Sequence, residues 1–263
     1  MDCIVLAGDR SNADPLAVAA GVPGKALVPV VGKAMLGHVI ETLADWARVG
    51  RIILVAPDRP AYWQTALDAA GARASDLVRV TPASSLIDSV ERALAQSRSS
   101  RSFLLTADHV LLDTAWLEDV LSRQGPRPAS LAVGLADWHR VMARFPGSRR
   151  TRYRFSDQAA CGTNLFLLND PVGVGRILAL WREVEQQRKK PWRIIALLGW
   201  ANLSRYLAGR LSLEEAFRAL SARVGTPIEP VLIDDPLAAV DVDSPDDLAL
   251  VEQVLAGRGQ QWC

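Results

Sequence analysis

The chain reads as an α/β protein of three layers, a mostly parallel central sheet with helices on both faces and a helical insertion in its C-terminal half. Two patterns lead there. Short apolar runs at residues 3–7, 52–56 and 102–106 each stop at Gly, Pro or Asp, as strands buried on both faces do. The stretches between them carry apolar residues at helical spacing, and strand–helix alternation argues for a parallel sheet. Length sets the scale: 263 residues suffice to bury a large core as one domain spanning 1–263.

Taken in order, residues 3–7 form the first strand and Gly8 ends it. Lys33 opens a helix over 33–49, with Leu36, Val39, Ile40, Leu43 and Trp46 on one face. Strands at 52–56 and 77–80 flank a helix at 61–70, and a helix over 86–97 leads to the strand at 102–106. Thr114 is placed to cap a helix over 114–123. Residues 131–135 are a further strand. The stretch 140–154 carries Arg144, Arg149, Arg150, Arg152 and Arg154 and reads as a loop or β-ribbon. Residues 161–168 form a strand, and 171–188 and 194–207 form helices. Ser212-Leu213-Glu214-Glu215 is a capping box for a helix ending near Arg223. Residues 231–233 and 238–242 read as strands. Ser244 and Pro245 start the last helix, with Asp246 and Asp247 in its first turn. The helices within 170–225 make up the insertion.

Composition excludes several classes. Hydrophobic residues make up 49% and charged residues 22%, a globular rather than a disordered balance. Lys+Arg 30 against Asp+Glu 29 leaves a net charge of +1, so no global field recruits nucleic acid. Cys3, Cys161 and Cys263 are odd in number and far apart, which suits free thiols in a reducing cytoplasm. The N-terminus lacks a basic leader, and no apolar run reaches the roughly 18 residues of a membrane span.

The stretch from Cys3 to Val39 is where chemistry is expected. A glycine closing the first strand, Gly8, lets backbone N–H groups approach an anion, and Lys25 returns a positive charge to the same crevice. Neither G-x-x-x-x-G-K-[ST] nor G-x-G-x-x-G is present. Ligands of such sheets sit beyond the carboxyl ends of the strands, where Asp108 also falls. Asp246 and Asp247 have a helix-start explanation; Asp241 and Asp243 do not. His38, His109 and His139 show no ligand spacing, and His109 reads as a loop hydrogen-bonder.

The opening Leu6-Ala7-Gly8, followed by Arg10 and by Gly24-Lys25, resembles the L-A-(G/A)-G-x-G-x-R … P-K opening of the MobA-like and sugar-phosphate nucleotidyltransferase superfamily. Asp9-Arg10 stands where that pattern has its second glycine. Thr106-Ala107-Asp108 is similar to the superfamily's metal-binding strand end. Asp241-Val242-Asp243-Ser244-Pro245-Asp246-Asp247-Leu248 resembles its D-x-D-(S/T)-P-(E/D)-D-L ending. The resemblance spans nearly the whole chain.

It implies a Rossmann-like nucleotide-diphospho-sugar transferase fold and a transfer of a nucleoside monophosphate from a triphosphate to a phosphorylated acceptor. Lys25 and Arg10 would act on the phosphates, and Leu6, Ala7 and Gly8 would line the nucleotide. Mg²⁺ would be held by Asp108 with Asp241 or Asp243, Asp241 being slightly preferred. Ser85 and Ser89 sit in a segment similar to the base-recognition turn of cytidylyltransferases, a lean toward CTP. Gly162, Thr163 and Asn164 are similar to the segment that receives the acceptor, and 170–225 is either a helical insertion or an acceptor-side subdomain. A nucleotide-sugar-dependent glycosyltransferase and a nucleotide-binding homologue without turnover are the competing readings. Basic residues beside tryptophans in 188–207 leave two readings open, docking on an anionic membrane surface or, preferred, helices packed as core.

Overall fold

The computed structural model describes residues 1–8, 14–185 and 199–260. In chain order it contains β1 (Asp2–Leu6), α1 (Pro15–Ala20), β2 (Pro29–Val30), β3 (Lys33–Ala34), α2 (Met35–Asp45), β4 (Ile52–Val55) and α3 (Pro60–Ala70). Next come β5 (Leu77–Val80), α4 (Leu86–Leu94), β6 (Ser102–Thr106), α5 (Thr114–Ser122), β7 (Leu131–Asp137), α6 (Trp138–Arg144) and β8 (Tyr153–Arg154). The remainder is β9 (Ala159–Leu168), α7 (Pro171–Glu185), α8 (Trp200–Leu207), α9 (Leu213–Val224), β10 (Ile228–Ile233) and α10 (Pro245–Gln260). The chain divides into two units, Met1–Leu117 with Val240–Cys263, and Glu118–Ala239.

In the first unit β6, β1, β4 and β5 lie side by side in that order, all parallel, with Cys3 opposite both Ile52 and Phe103. Parallel neighbours need long crossovers, and the helices that supply them cover the sheet. Ile4, Val5, Ile52, Ile53, Phe103 and Leu105 are accordingly all fully buried. Helix α2 buries Leu36, Val39, Ile40 and Leu43 of the predicted face, and Met35 beside them, and packs on α3 and β4; Trp46, also buried, stands just past its end. Each such side chain contributes about 1.5–3 kcal/mol on burial. Cys3 is a buried free thiol whose pKa burial pushes up to about 12.

Lys33 does not open a helix. It lies on β3, which pairs antiparallel with β2 through a tight turn at Val31 and Gly32, both left-handed at φ 49° and 78°. Residues 238–242 are not a strand either: Pro236–Ala239 is a 3₁₀ turn, and the chain then runs irregularly to α10. Ser244 caps α10 as expected, accepting from the Asp247 N–H at 3.2 Å and donating to Asp247 Oδ2 at 2.6 Å.

Asp2 is a structural pin that the sequence reading missed. It is 4% exposed, and its carboxylate accepts from the N–H groups of Arg51, Arg98 and Ser99 and from the Ser97 hydroxyl, at 2.8–3.2 Å. Burial pushes its pKa up, but these donors outweigh that and hold it below the ordinary value of 3.8. A depressed folded-state pKa means the stabilisation is complete above the unfolded-state value and is lost as pH falls through the folded one. Asp2→Asn, which turns an NH₂ toward donors, is expected to cost about 2–3 kcal/mol at neutral pH. Urea denaturation from pH 7 down to 3 should show the gap to wild type narrowing in acid.

In the second unit β10 runs parallel to β7, while β9 pairs antiparallel with β7 and with β8. The register of β7 on β9 shifts between Val133 and Leu135, so Thr163–Leu165 bulge opposite Gly134. A Cβ on Gly134 would stand 2.5 Å from Thr163 Oγ1 and 2.9 Å from the Leu165 carbonyl, which is why no side chain is tolerated there. Asn164 takes the bulge's left-handed position, φ 54°. The arginine-rich stretch departs from expectation, since its start is the helix α6 and only Tyr153–Arg154 forms a ribbon. The capping box of α9 forms as predicted, the Ser212 hydroxyl accepting from the Glu215 N–H and the Glu215 carboxylate from the Ser212 N–H. Cys161 is a second buried thiol, its Sγ donating to the Ala136 carbonyl at 3.7 Å.

Candidate active site

The carboxyl ends of β1 and β6 lie together, Leu6 opposite Thr106. The ladder runs one residue further, with the Ala7 N–H donating to the Val55 carbonyl at 2.8 Å and the Ala107 N–H to the Leu6 carbonyl at 2.9 Å. Gly8 and Asp108 therefore emerge at the same sheet edge. Gly8 is exposed, and among the described residues a Cβ there would meet only Pro82 Cγ, at 3.9 Å.

Lys25 reaches this edge from a 3₁₀ turn, Lys25–Leu27, anchored by buried Ala26 and Leu27. Its Nζ donates to Asp108 Oδ2 at 2.7 Å and to Asp243 Oδ1. The Lys25 and Asp108 side chains are 17% and 21% exposed and that of Asp243 is 59% exposed, so the cluster is open on the Asp243 side. One backbone bond brings this segment here from the far end of the chain, and a bond to a side chain holds Asp243 within it. The Val242 N–H donates to the Asp108 carbonyl at 3.1 Å, and the Asp243 N–H donates to Asp247 Oδ2 at 3.3 Å. The carboxylate that begins α10 thus also holds the backbone of Asp243, a second role that the D-S-P-D-D spacing makes available.

Burial pushes the Lys25 pKa down, and the two carboxylates outweigh it and hold it above the ordinary lysine value. Burial likewise pushes Asp108 up, and the Lys25 ammonium outweighs it and keeps the carboxyl below the ordinary aspartate value. The Thr106 hydroxyl also favours the ionised form, although Oγ1 is buried without an ordinary hydrogen bond. Beneath the cluster His109 is 1% exposed and stacks on Trp116, ring centroids 5.4 Å apart, so it sits in the core rather than in an open loop.

A divalent ion fits these residues. Asp108 Oδ1 is buried and has no hydrogen bond among the described residues, and Asp108 and Asp243 already converge on one cation, the Lys25 ammonium. Among the described residues no three His, Cys, Asp or Glu side chains form a metal cage. Two carboxylates with the remaining positions left to water and phosphate is the coordination Mg²⁺ favours.

The other expected residues fall as follows. Arg10, with Asp9, lies outside the described residues. Leu6 packs on a core cluster that includes Ile4, Ile53 and Val80, and Ala7 is 3% exposed. Asp241 is half-buried, and it is Asp243 that joins Lys25. Ser85 caps α4, accepting from the Asp88 N–H at 3.0 Å. Ser89 is 5% exposed, accepts from the Ala83 N–H at 2.9 Å and donates to the Ser85 carbonyl at 2.7 Å. Both hydroxyls thus build the turn before α4. Gly162 is exposed and Asn164 half-buried, but Thr163 is 2% exposed and turned into the sheet against Gly134.

Lys25, clasped by two carboxylates, thus stands at the carboxyl edge of a parallel sheet, the edge where ligands of such sheets bind. Comparison with known proteins gives the class. The pattern of the MobA-like NTP transferase domain matches residues 3–240. A hypothetical transferase from Thermus thermophilus superposes with a TM-score of 0.76 at 30% identity, over 94% of this chain and 98% of that one. A CMP:2-keto-3-deoxy-manno-octonic acid synthetase solved with CTP gives 0.57 at 17% identity, over 98% of each chain. A 4-diphosphocytidyl-2C-methyl-D-erythritol synthase from Anaerococcus prevotii gives 0.56 at 9% identity, over 97% of this chain and 95% of that one. No curated protein matches the sequence. The chain belongs to the MobA-like NTP transferase family and is a nucleotidyltransferase.

Proposed function

We propose that the chain transfers a cytidylyl group from CTP to a phosphorylated small molecule, a sugar, polyol or alcohol phosphate, with release of pyrophosphate. An acceptor phosphate oxygen attacks the α-phosphorus in line, the bond from that phosphorus to the bridging oxygen of the β-phosphate breaks, and pyrophosphate leaves. Both reactants are anions, so the reaction needs charge neutralisation and alignment more than a proton-transfer group. The observation that carries this reading is the meeting of Lys25, Asp108 and Asp243 beside the open Gly8 edge. Asp108 and Asp243 would hold Mg²⁺, which when bound neutralises phosphate charge and orients the attack. Lys25, and Arg10 with it, stabilises charge on the transferring and leaving phosphates. Backbone at Leu6–Gly8 lies against the nucleotide. CTP is favoured because one structural neighbour was solved with CTP and another is named for a cytidylyl product.

A pyrophosphate-release panel tests it. The four ribonucleoside triphosphates are crossed with sugar, polyol and alcohol phosphates and with their unphosphorylated counterparts. Release is expected with CTP and a phosphorylated acceptor, in the presence of Mg²⁺ only. A nucleotide sugar consumed without pyrophosphate would instead establish a glycosyltransferase.

A further inference from the structure

The unit formed by Glu118–Ala239 carries a cationic stretch whose end, at Arg154 and Phe155, touches a helix with an exposed apolar stripe. Residues 140–154 hold six arginines and no acid. Asp234 takes Arg140, while Arg144 lies over the Phe145 ring at 5.5 Å and Arg152 over the Trp138 indole at 4.4 Å. Among the described residues no ion pair engages Arg144, Arg149, Arg152 or Arg154. The acids nearby are already held: Glu215 pairs with Arg205 at 2.6 Å, and Asp157 Oδ1 accepts from the Leu213 N–H at 3.0 Å.

Strand β8 seats the ribbon on β9, and two contacts tie it to α8. The Arg154 N–H donates to the Tyr206 hydroxyl at 3.4 Å, and the Phe155 and Tyr206 rings meet edge-on at 6.1 Å. Leu203 anchors α8 at 7% exposure. Trp200 and Leu207, seven residues or about two turns apart, share one face and are 77% and 73% exposed. Tyr153 adds a half-exposed ring on the ribbon itself.

We propose that this face docks on the surface of an anionic lipid bilayer. Trp200 and Leu207 enter the boundary between headgroups and acyl chains, where an indole is most favourable. The unpaired guanidinium groups meet lipid phosphates, which they can engage bidentately. Cations alone would suit any soluble polyanion, and the apolar stripe alone would suit another protein; their adjacency matches the layered chemistry of a bilayer. The proposed attachment is peripheral, through side chains at the surface; among the described residues no helix is long and apolar enough to cross a membrane.

The test is co-sedimentation of the full chain with vesicles of phosphatidylcholine, alone or mixed with phosphatidylglycerol, read together with tryptophan fluorescence. Binding to the mixed vesicles is expected, with a blue shift, weakening as salt screens the charges. Arg152→Ala with Arg154→Ala, and separately Trp200→Ser with Leu207→Ser, should each lower affinity roughly tenfold or more. All four side chains are at the surface, and unchanged melting curves would show that the variants fold. Three outcomes overturn the proposal: no binding at low salt, equal binding to neutral vesicles, or variants that bind as wild type. A dimer dissolved by Trp200→Ser with Leu207→Ser, without vesicle binding, would make the face a self-association surface instead. Sedimentation needs no turnover, so its result is independent of the proposed reaction.

Discussion

Replacing Lys25 with methionine is expected to lower turnover by at least about 100-fold, the usual cost of removing one preorganised donor to a developing phosphate charge. Methionine keeps the length and apolar contacts of the lysine stem, so the 3₁₀ turn that carries it should persist. What changes is charge. Asp108 and Asp243 now share a cleft with no cation between them, and Asp108, mostly buried, loses the partner that holds its pKa down. Stability should fall by about 1–3 kcal/mol, the penalty of leaving a partly buried carboxylate unpaired. Mg²⁺ should restore part of that loss in the variant while affecting the wild type less, because in the wild type the ammonium already occupies the carboxylates. A thermal melt with and without Mg²⁺ reads this without any substrate. Near-normal turnover of Lys25→Met would remove the lysine from the site.

Asp108→Asn is expected to cost roughly 100- to 1,000-fold in turnover through loss of the more buried of the two carboxylates. Asp243→Asn should cost less, since that carboxylate is largely solvated and a water can stand in for one of its oxygens. The two residues and Lys25 act on the same phosphates, so their effects should not add. Lys25→Met combined with Asp108→Asn should be little worse than Asp108→Asn alone. Steady-state kinetics on the four variants checks this; fully multiplicative losses in the double variant would mean that Lys25 and Asp108 serve separate steps.

Much of this was legible in the sequence because parallel strands buried on both faces leave unbroken apolar runs. Residues 3–7, 52–56 and 102–106 could hardly be anything else, and the carboxyl-end rule then pointed from Gly8 to Asp108. The chain's return through Lys25 was visible as a lysine ahead of an apolar segment, although its 3₁₀ turn was not. What failed did so for local reasons. The β2–β3 hairpin was hidden because its turn puts Val31, a β-branched residue, in a left-handed conformation that such residues avoid. The alternation at 238–242 imitates a strand, but its backbone bonds instead to Asp108, a partner more than a hundred residues away that no local pattern reveals.

Asp241 and Asp243 are two residues apart in the same motif, so spacing alone could not rank them. The hold of Asp247 on the Asp243 N–H, and the clasp of Lys25 by Asp243, separate them only in three dimensions. Ser85 and Ser89 looked like ligand contacts because small hydroxyls at a helix start suit both a nucleobase and an orphan backbone donor. Here the backbone takes them. Thr163 read as an acceptor contact because it is a small polar residue at the start of a strand, but a bulge opposite Gly134 turns its side chain inward.

The most direct measurement is an anomalous difference map from crystals grown with Mn²⁺ and a non-hydrolysable CTP analogue. The expected result is one Mn²⁺ peak within ligand distance of both Asp108 and Asp243, with the Lys25 ammonium moved from the carboxylates onto a phosphate. A nucleotide bound with Lys25 still clasping both aspartates, and Mn²⁺ elsewhere, would contradict the account.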